Sequence, residues 1–209
     1  SPTPPPPRTT PASTLFPYTT LFRSAPVAAP PVKADSDIDL AGLRSGWAAL
    51  QDTHHFFALL QKHGVRRTQA LRLAGEEWAE ALAPSELPKM LEAAAATEVP
   101  IMVFVGNQHC IQIHSGPVQR IVPMETPQAR WINVLDPGFN LHLREDLIAS
   151  AWIVEKPGDN GTVTSLEVFD GDGGLMAMFF GARKPGQPER GAWRDVLAQR
   201  PTLDAPTPA

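Results

Sequence analysis

Two adjacent histidines lie in an apolar stretch near residue 55, and their imidazoles are the first candidates for chemistry in this chain. His54 belongs to a set of residues spaced three and four apart, which places them on one side of a helix: Leu43, Trp47, Leu50, His54, Phe57 and Gln61. His55 points about 100° away from that side. A neutral imidazole among apolar side chains can ligate haem iron, because the porphyrin favours apolar neighbours. The same pattern fits a core histidine that bonds a backbone carbonyl.

Basic residues follow the same predicted helix. Arg66 and Arg67 come directly after its expected end at Gly64. An arginine at this place can bind a carboxylate through two parallel charge-assisted hydrogen bonds. Lys156 and Arg183 stand where later strands are expected to leave a sheet. Taken singly, each of these residues is more often a solvated surface charge.

The elements that must position these residues are helices first and strands afterwards. Helices are expected at 38–63, 68–73, 84–97, 145–150 and 189–199, and residues 78–82 fit a turn or a short strand. From residue 98 the hydrophobic period becomes two, which predicts strands at 101–105, 110–114, 118–122, 131–135, 140–144, 151–155, 163–169 and 175–180. Strands joined by short turns, with helices at both ends, indicate an α+β domain built on a large antiparallel sheet flanked by helices.

Composition excludes several functional classes. The chain has 209 residues and a formal net charge of −4, which gives no reason to expect a nucleic-acid partner. No apolar run approaches the length of a membrane-spanning helix, so an integral membrane protein is not expected. The single cysteine, Cys110, excludes an internal disulfide and a cysteine-rich metal site, and it fits a reducing cytoplasm. Glycine motifs for nucleotides and the G-x-S-x-G motif of hydrolases do not occur.

The two ends of the chain differ from its centre. Residues 1–34 are proline-rich and are expected to form a disordered tail, as are residues 202–209, which leaves one domain at 35–201. The string TLFPYTTLFRS at 14–24 resembles the translation of a common sequencing adapter. We therefore interpret residues 1–24 as an assembly artefact that replaces the natural N-terminal part of the protein.

Four long strings resemble the C-terminal half of the haemin-degrading, haemin-transport proteins of the HemS/ChuS/HmuS type. They are DTHHFFALLQKHGVRRTQALRLAG at 52–75, IMVFVGNQHCIQIHSGPV at 101–118, WINVLDPGFNLHLRED at 131–146 and TSLEVFDGDGGLMAMFFGARKPGQPE at 164–189. With shorter matches, the similarity runs from about residue 37 to residue 201. It implies a HemS-like half with a large antiparallel sheet flanked by helices.

The resemblance also implies a haem b site. His54 matches the axial ligand of the haem iron, and Arg67 matches the arginine that contacts the haem propionates. Phe104 matches a residue that borders the pocket, and two later basic residues resemble its remaining cations. The implied haem-contacting residues are His54, Arg67, Phe104, Lys156, Phe180 and Arg183.

The resemblance implies a cytoplasmic haem-binding protein that takes up imported haem and delivers or degrades it to release iron. Its chemistry would be haem-oxygenase-like or a reductive ring opening. The alternative is a non-catalytic carrier that passes haem to a separate haem oxygenase. The implied partners are haem, an inner-membrane haem importer or a haem oxygenase, and a second copy in a homodimer. In full-length members an arginine from the N-terminal half covers the distal face of the haem, and we expect that half to be missing here.

Overall fold

The computed structural model describes residues 33–107, 109–184 and 186–199. Within these ranges the chain forms five α-helices and nine β-strands. The tails expected at 1–34 and 202–209 lie outside the described residues, apart from residues 33 and 34, and so does the adapter-like string. The description below therefore concerns the predicted domain.

The helices are α1 Leu40–Ala48, α2 His55–His63, α3 Arg67–Ala74, α4 Glu86–Ala96 and α5 Gly191–Ala198. Asp39 caps α1 by accepting the Gly42 N–H at 2.9 Å. Gly64 ends α2 in the left-handed conformation, with φ of 64°. No helix in the described part of the chain has both the length and the apolar character needed to cross a bilayer.

The prediction of a single helix at 38–63 is wrong, because the helix is interrupted between Ala48 and His55. The side chain of Asp52 bonds the His54 N–H at 2.8 Å, and such local bonds compete with helical ones. After this interruption, a different side of the helix faces the core. Phe56 is 1% exposed, whereas Phe57, expected on the buried side, is 64% exposed.

The strands are β1 Ala79–Leu82, β2 Ile101–Gly106, β3 Ile111–Gly116, β4 Ile121–Thr126, β5 Ala129–Asp136, β6 Phe139–Arg144, β7 Ser150–Lys156, β8 Val163–Phe169 and β9 Leu175–Gly181. They form a six-stranded sheet in the order β1-β7-β8-β9-β2-β3 and a three-stranded sheet in the order β4-β5-β6. All neighbouring strands run antiparallel. The α+β class with a large antiparallel sheet is confirmed. The strand expected at 118–122 starts later, and the helix expected at 145–150 is a 3-10 turn, Glu145–Leu147.

The two faces of the six-stranded sheet are covered differently. One face belongs to a core shared with α4, α5 and the smaller sheet, which includes Leu87, Leu91, Val103, Leu166, Phe179 and Trp193. On the other face the first three helices cover β1, β7 and β8, in a second core that includes Trp47, Phe56, Leu60, Leu71, Val154 and Phe169. Side chains of β9, β2 and β3 on that second face stay partly exposed. The fold therefore leaves an open apolar surface beside the first three helices.

Candidate functional site

His54 is the last residue before α2, and its side chain is 91% exposed. Its Nδ1 lies 2.5 Å from Oδ1 of Asp52, and the same oxygen accepts the His54 N–H. Both hydrogen bonds lower the pKa of Asp52 below its ordinary value, and the bond from the backbone N–H has the larger effect. The alternative of a buried core histidine is therefore wrong, and the ring is accessible to a ligand.

Phe56 links the start of α2 to two cations beneath it. Its ring packs edge-on against Trp47, with 4.5 Å between the ring centroids. Cζ of Arg67 lies 5.1 Å from the centre of the Phe56 ring, and Nζ of Lys156 lies 5.0 Å from it. Both distances allow cation–π attraction. The helix that starts beside His54 is thus fixed in position over a pair of positive charges.

Those cations share one carboxylate, Glu167, which has no exposed surface. Arg67 donates two parallel hydrogen bonds to it, Nε to Oε2 at 2.6 Å and Nη2 to Oε1 at 2.7 Å. Lys156 donates to Oε1 at 2.7 Å, and the Ser165 hydroxyl donates to the same oxygen at 3.0 Å. We call Arg67, Lys156, Ser165 and Glu167 the Glu167 cluster.

The electrostatics of the Glu167 cluster follow from burial and an unequal number of charges. Burial acts to raise the pKa of Glu167, but the charges of Arg67 and Lys156 outweigh it and hold that pKa well below its usual range. Burial lowers the pKa of Lys156, and the nearby Arg67 lowers it further, against the attraction of Glu167. With all three groups ionised, the cluster carries one more positive charge than negative charge.

The open part of the sheet next to this cluster carries four partly exposed side chains, Met102, Phe104, Met178 and Phe180, which we call the Met–Phe face. Met102 lies opposite Phe180, and Phe104 lies opposite Met178, so the four point to the same side. The rings of Phe104 and Phe180 are 5.1 Å apart, edge to face. Arg67 reaches this face, since its Nη2 lies 3.5 Å from the Met178 sulfur.

The Met–Phe face continues towards the edge strand β3. A cleft of about 330 Å³ lies there, with walls formed by Phe104, Ile111, Leu175, Met176 and Met178. Ile111 and Ile113 on the edge strand are 55% and 57% exposed. Large apolar side chains exposed side by side in this way mark a surface that binds a ligand or a partner.

The two basic residues expected near the ends of strands differ in position. Lys156, expected as a basic residue of the pocket, is instead 2% exposed and bonded to Glu167, so its ammonium is not free at a surface. It can act on a ligand only through the cluster. Arg183 lies three residues beyond Phe180, and its Nε is buried without a hydrogen-bond partner among the described residues. An anion arriving there would satisfy that donor.

Sequence reasoning missed the residues that organise this site, Glu167 and Asp52. A signal for Glu167 was present, because a lone acidic residue in the otherwise uncharged run VTSLEVF predicts a buried, paired carboxylate. Asp52 stands two residues before His54, a spacing at which an aspartate commonly bonds the backbone and can also reach the ring. Both missed residues are hydrogen-bond partners of residues that the sequence indicated, since Glu167 bonds Arg67 and Lys156, and Asp52 bonds His54.

The residues present fit a flat apolar ligand that carries carboxylates and a metal centre. An accessible imidazole provides a metal ligand, the Met–Phe face provides an apolar platform, and Arg67 provides a cation at its margin. These are the requirements of haem.

Comparison with known proteins agrees with this chemistry. Residues 64–199 match the family model described as the haemin-degrading HemS.ChuX domain. Over 176 residues the chain is 40% identical to the hemin transport protein HmuS of Yersinia pestis, a match that covers 84% of this chain and 48% of HmuS. HemS of Yersinia enterocolitica, another hemin transport protein, matches to the same extent. The chain thus spans about half the length of these relatives.

Solved structures show the same fold. The haem-binding protein PhuS from Pseudomonas aeruginosa, in its apo form, is 56% identical with a TM-score of 0.81, over 86% of this chain and 52% of PhuS. The haem-degrading enzyme ChuS from Escherichia coli O157:H7 is 41% identical with a TM-score of 0.74, over 79% of this chain and 49% of ChuS. On the family match and these likenesses, the chain belongs to the haemin-degrading HemS.ChuX domain family.

Proposed function

We propose that this chain binds haem, with Nε2 of His54 on the iron and the porphyrin against the Met–Phe face. Arg67 and Arg183 would contact the propionates. The observation that carries the proposal is the arrangement around Phe56, whose helix begins beside an exposed imidazole and whose ring lies against two cations. A haem needs these two features, an iron ligand and a positive margin, on either side of an apolar surface.

The charge of the Glu167 cluster supports a carboxylate ligand. Arg67 and Lys156 together exceed the charge of Glu167, and Arg67 is the member with some exposure, 23% of its side chain. A propionate that reached Arg67 would balance the cluster. Lys156 would then act indirectly, since its bond to Glu167 holds the carboxylate that fixes Arg67.

A bound haem would supply a redox-active iron, and the chain would supply binding, orientation and exclusion of water. His54 would hold the metal, and Phe104 and Phe180 would keep one side of the porphyrin dry. Relatives support this assignment, because PhuS is described as a haem-binding protein and ChuS as a haem oxygenase.

The proposed role is to take up imported haem and either deliver it or degrade it to release iron. The carrier alternative is favoured by one feature of the site. Glu167 and Lys156, the ionisable groups under Phe56, are buried and bonded to each other, so neither is free to transfer a proton to a ligand. Under this alternative the chain passes haem to a separate haem oxygenase.

The proposal extends to haem b as the bound form, to the cytoplasm as the location, and to a haem importer or a haem oxygenase as the partner. An exposed cysteine, Cys110, fits a reducing compartment. A homodimer is part of the proposal as well, since Ile111 and Ile113 expose apolar surface on the edge strand β3.

The direct test of haem binding is titration of the purified chain with hemin, followed by absorbance. We expect saturable binding of one hemin per chain with a sharpened Soret band. Binding of hemin dimethyl ester should be weaker, because its carboxylates are blocked. Equal affinity for the ester would contradict the cationic margin, and a spectrum identical to that of free hemin would contradict the whole proposal.

A second experiment separates the enzyme from the carrier. The haem-loaded chain is given a reductant and oxygen, or a reductant alone, and the absorbance is followed with time. Loss of the Soret band with formation of an open-chain product supports degradation. A Soret band that persists under both conditions supports the carrier.

A further inference from the structure

The contact between Asp52 and His54 does more than shape the turn before α2. Resting on the proposed function, we infer that Asp52 is a positioning residue that sets the tautomer and the orientation of the His54 ring for iron. The question is which ring nitrogen of His54 carries the proton, because this decides which nitrogen is free to bind iron.

The geometry gives Asp52 two separate tasks. Its Oδ1 accepts the backbone N–H of His54 at 2.8 Å, which fixes the main chain before α2. The same atom lies 2.5 Å from the ring Nδ1 of His54. The backbone carbonyl of Asp52 also accepts the His55 N–H at 3.0 Å. A turn of this kind requires only the backbone bonds, so the contact to the ring is additional.

The chemistry follows from the inventory of an imidazole. A neutral ring has one N–H and one lone pair, and a carboxylate can only accept. Asp52 therefore selects the tautomer with the proton on Nδ1, and the lone pair stays on Nε2, the nitrogen on the far side of the ring. Histidines that bind metals commonly donate their other N–H to a carboxylate in this manner, which fixes the ring and raises its basicity as a ligand.

Exposure explains why the contact should become stronger when a ligand is bound. The side chains of Asp52 and His54 are 53% and 91% exposed, so water competes with their hydrogen bond in the free chain. A flat ligand placed over the ring would remove that water, and the bond would become stronger in drier surroundings. Asp52 would thus support His54 as the iron ligand once haem is bound.

The variant Asp52→Asn keeps the backbone bond and removes the charge that faces the ring. The amide oxygen still accepts the His54 N–H, but a neutral amide is a weaker acceptor for Nδ1–H than a carboxylate and no longer raises the basicity of the ring. We expect the hemin dissociation constant to rise by roughly 10- to 100-fold. Asp170→Asn is the matched control, because Oδ1 of Asp170 likewise accepts backbone N–H groups, at 3.0 Å from Asp172 and 2.7 Å from Gly174.

A readout without haem completes the test. Nitrogen-15 spectra of histidine-labelled chain, at a pH where the ring is neutral, report the tautomer of His54. The wild type should show the proton on Nδ1, and this measurement needs no variant. A wild-type proton on Nε2, or an Asp52→Asn affinity within twofold of the wild type, would overturn the inference. His54→Ala, measured in parallel, distinguishes the failures. Loss of binding in that variant alone refutes the role of Asp52, whereas unchanged binding refutes the proposed function.

Discussion

Glu167 is the residue on which the buried chemistry of this molecule converges, since two cations and a hydroxyl donate to its two oxygens. A carboxylate without exposed surface is stable only when such partners compensate for its lost hydration. Arg67 and Lys156 come from α3 and β7, so the cluster joins a helix to the sheet. Arg67, one of the two cations that stabilise Glu167, also lies at the margin of the proposed haem site.

Replacing Glu167 with glutamine should cost about 3–5 kcal/mol of unfolding free energy near neutral pH, because two buried cations lose their counter-charge. The cost should shrink at alkaline pH, since burial already lowers the pKa of Lys156 and its loss of a proton relieves the repulsion. Urea denaturation over a pH series measures both effects. Glu125→Gln, at an exposed position of β4, is the control and should change stability by less than about 0.5 kcal/mol.

The wild type should also lose stability in acid. The pKa of folded Glu167 lies below its unfolded value, so its contribution is complete above the unfolded pKa of about 4.3 and disappears as the pH falls towards the folded pKa. Glu167→Gln has no such group and should lack that part of the acid dependence. Parallel acid profiles of the two proteins would refute the assigned ion pairs.

Removal of Arg67 should weaken hemin binding by about 1–3 kcal/mol, the range for a lost charge-assisted hydrogen bond. Folding should persist in Arg67→Ala, because Lys156 and Glu167 remain as a balanced pair. Hemin dimethyl ester provides the control ligand. If the variant loses as much affinity for the ester as for hemin, Arg67 acts on something other than the propionates.

At the scale of elements, the break between α1 and α2 decides whether His54 is accessible. A continuous helix would have set the imidazole on the side occupied by Trp47, which is fully buried. α1 ends at Ala48, Asp52 bonds His54 in the turn that follows, and α2 begins with a different side turned inward. The C-terminal end of α2 matters equally, because the chain must turn there within three residues to bring Arg67 under Phe56.

Gly64 makes that turn with φ of 64°, and the next residue, Val65, closes it by donating to the Leu60 carbonyl at 3.1 Å. Gly64→Ala should therefore reduce the free energy of unfolding by about 1–2 kcal/mol, the cost of a left-handed backbone with a Cβ atom. Gly191→Ala is the control, since a Cβ there meets no atom within 4 Å and φ is not positive. Equal stability of the two variants would contradict the assigned conformation.

The elements show how far sequence reasoning reaches. Strands such as Val163–Phe169 could be predicted because apolar periodicity and turn residues are local signals. The α1–α2 break could not, since a period of 3.6 describes a helix without revealing that Asp52 competes for its hydrogen bonds. The later start of β4 is a similar case. Val118 is fully buried before the strand begins, so its apolar character indicated the core rather than a ladder.

For the whole molecule, the decisive feature is a large sheet with one face packed against α4, α5 and the smaller sheet, and the other face only partly covered by α1, α2 and α3. Local patterns predict the strands but not their order, which places β9 between β8 and β2 and so joins the Met–Phe face to the Glu167 cluster. The predicted residues Arg67, Phe104 and Phe180 therefore lie on one side of the sheet, and Lys156 lies on the same side but is buried under Phe56 and bonded to Glu167. Burial of that lysine depended on Glu167, a partner eleven residues away across a hairpin.

The central claim is that His54 binds haem iron, and the most direct measurement is the iron–histidine stretching band in the resonance Raman spectrum of the reduced, haem-loaded chain. The wild type should show this band, and His54→Ala should lose it together with most of its hemin affinity. His55→Ala, which removes the adjacent exposed imidazole, should keep both. A band that survives in His54→Ala and disappears in His55→Ala would contradict the account.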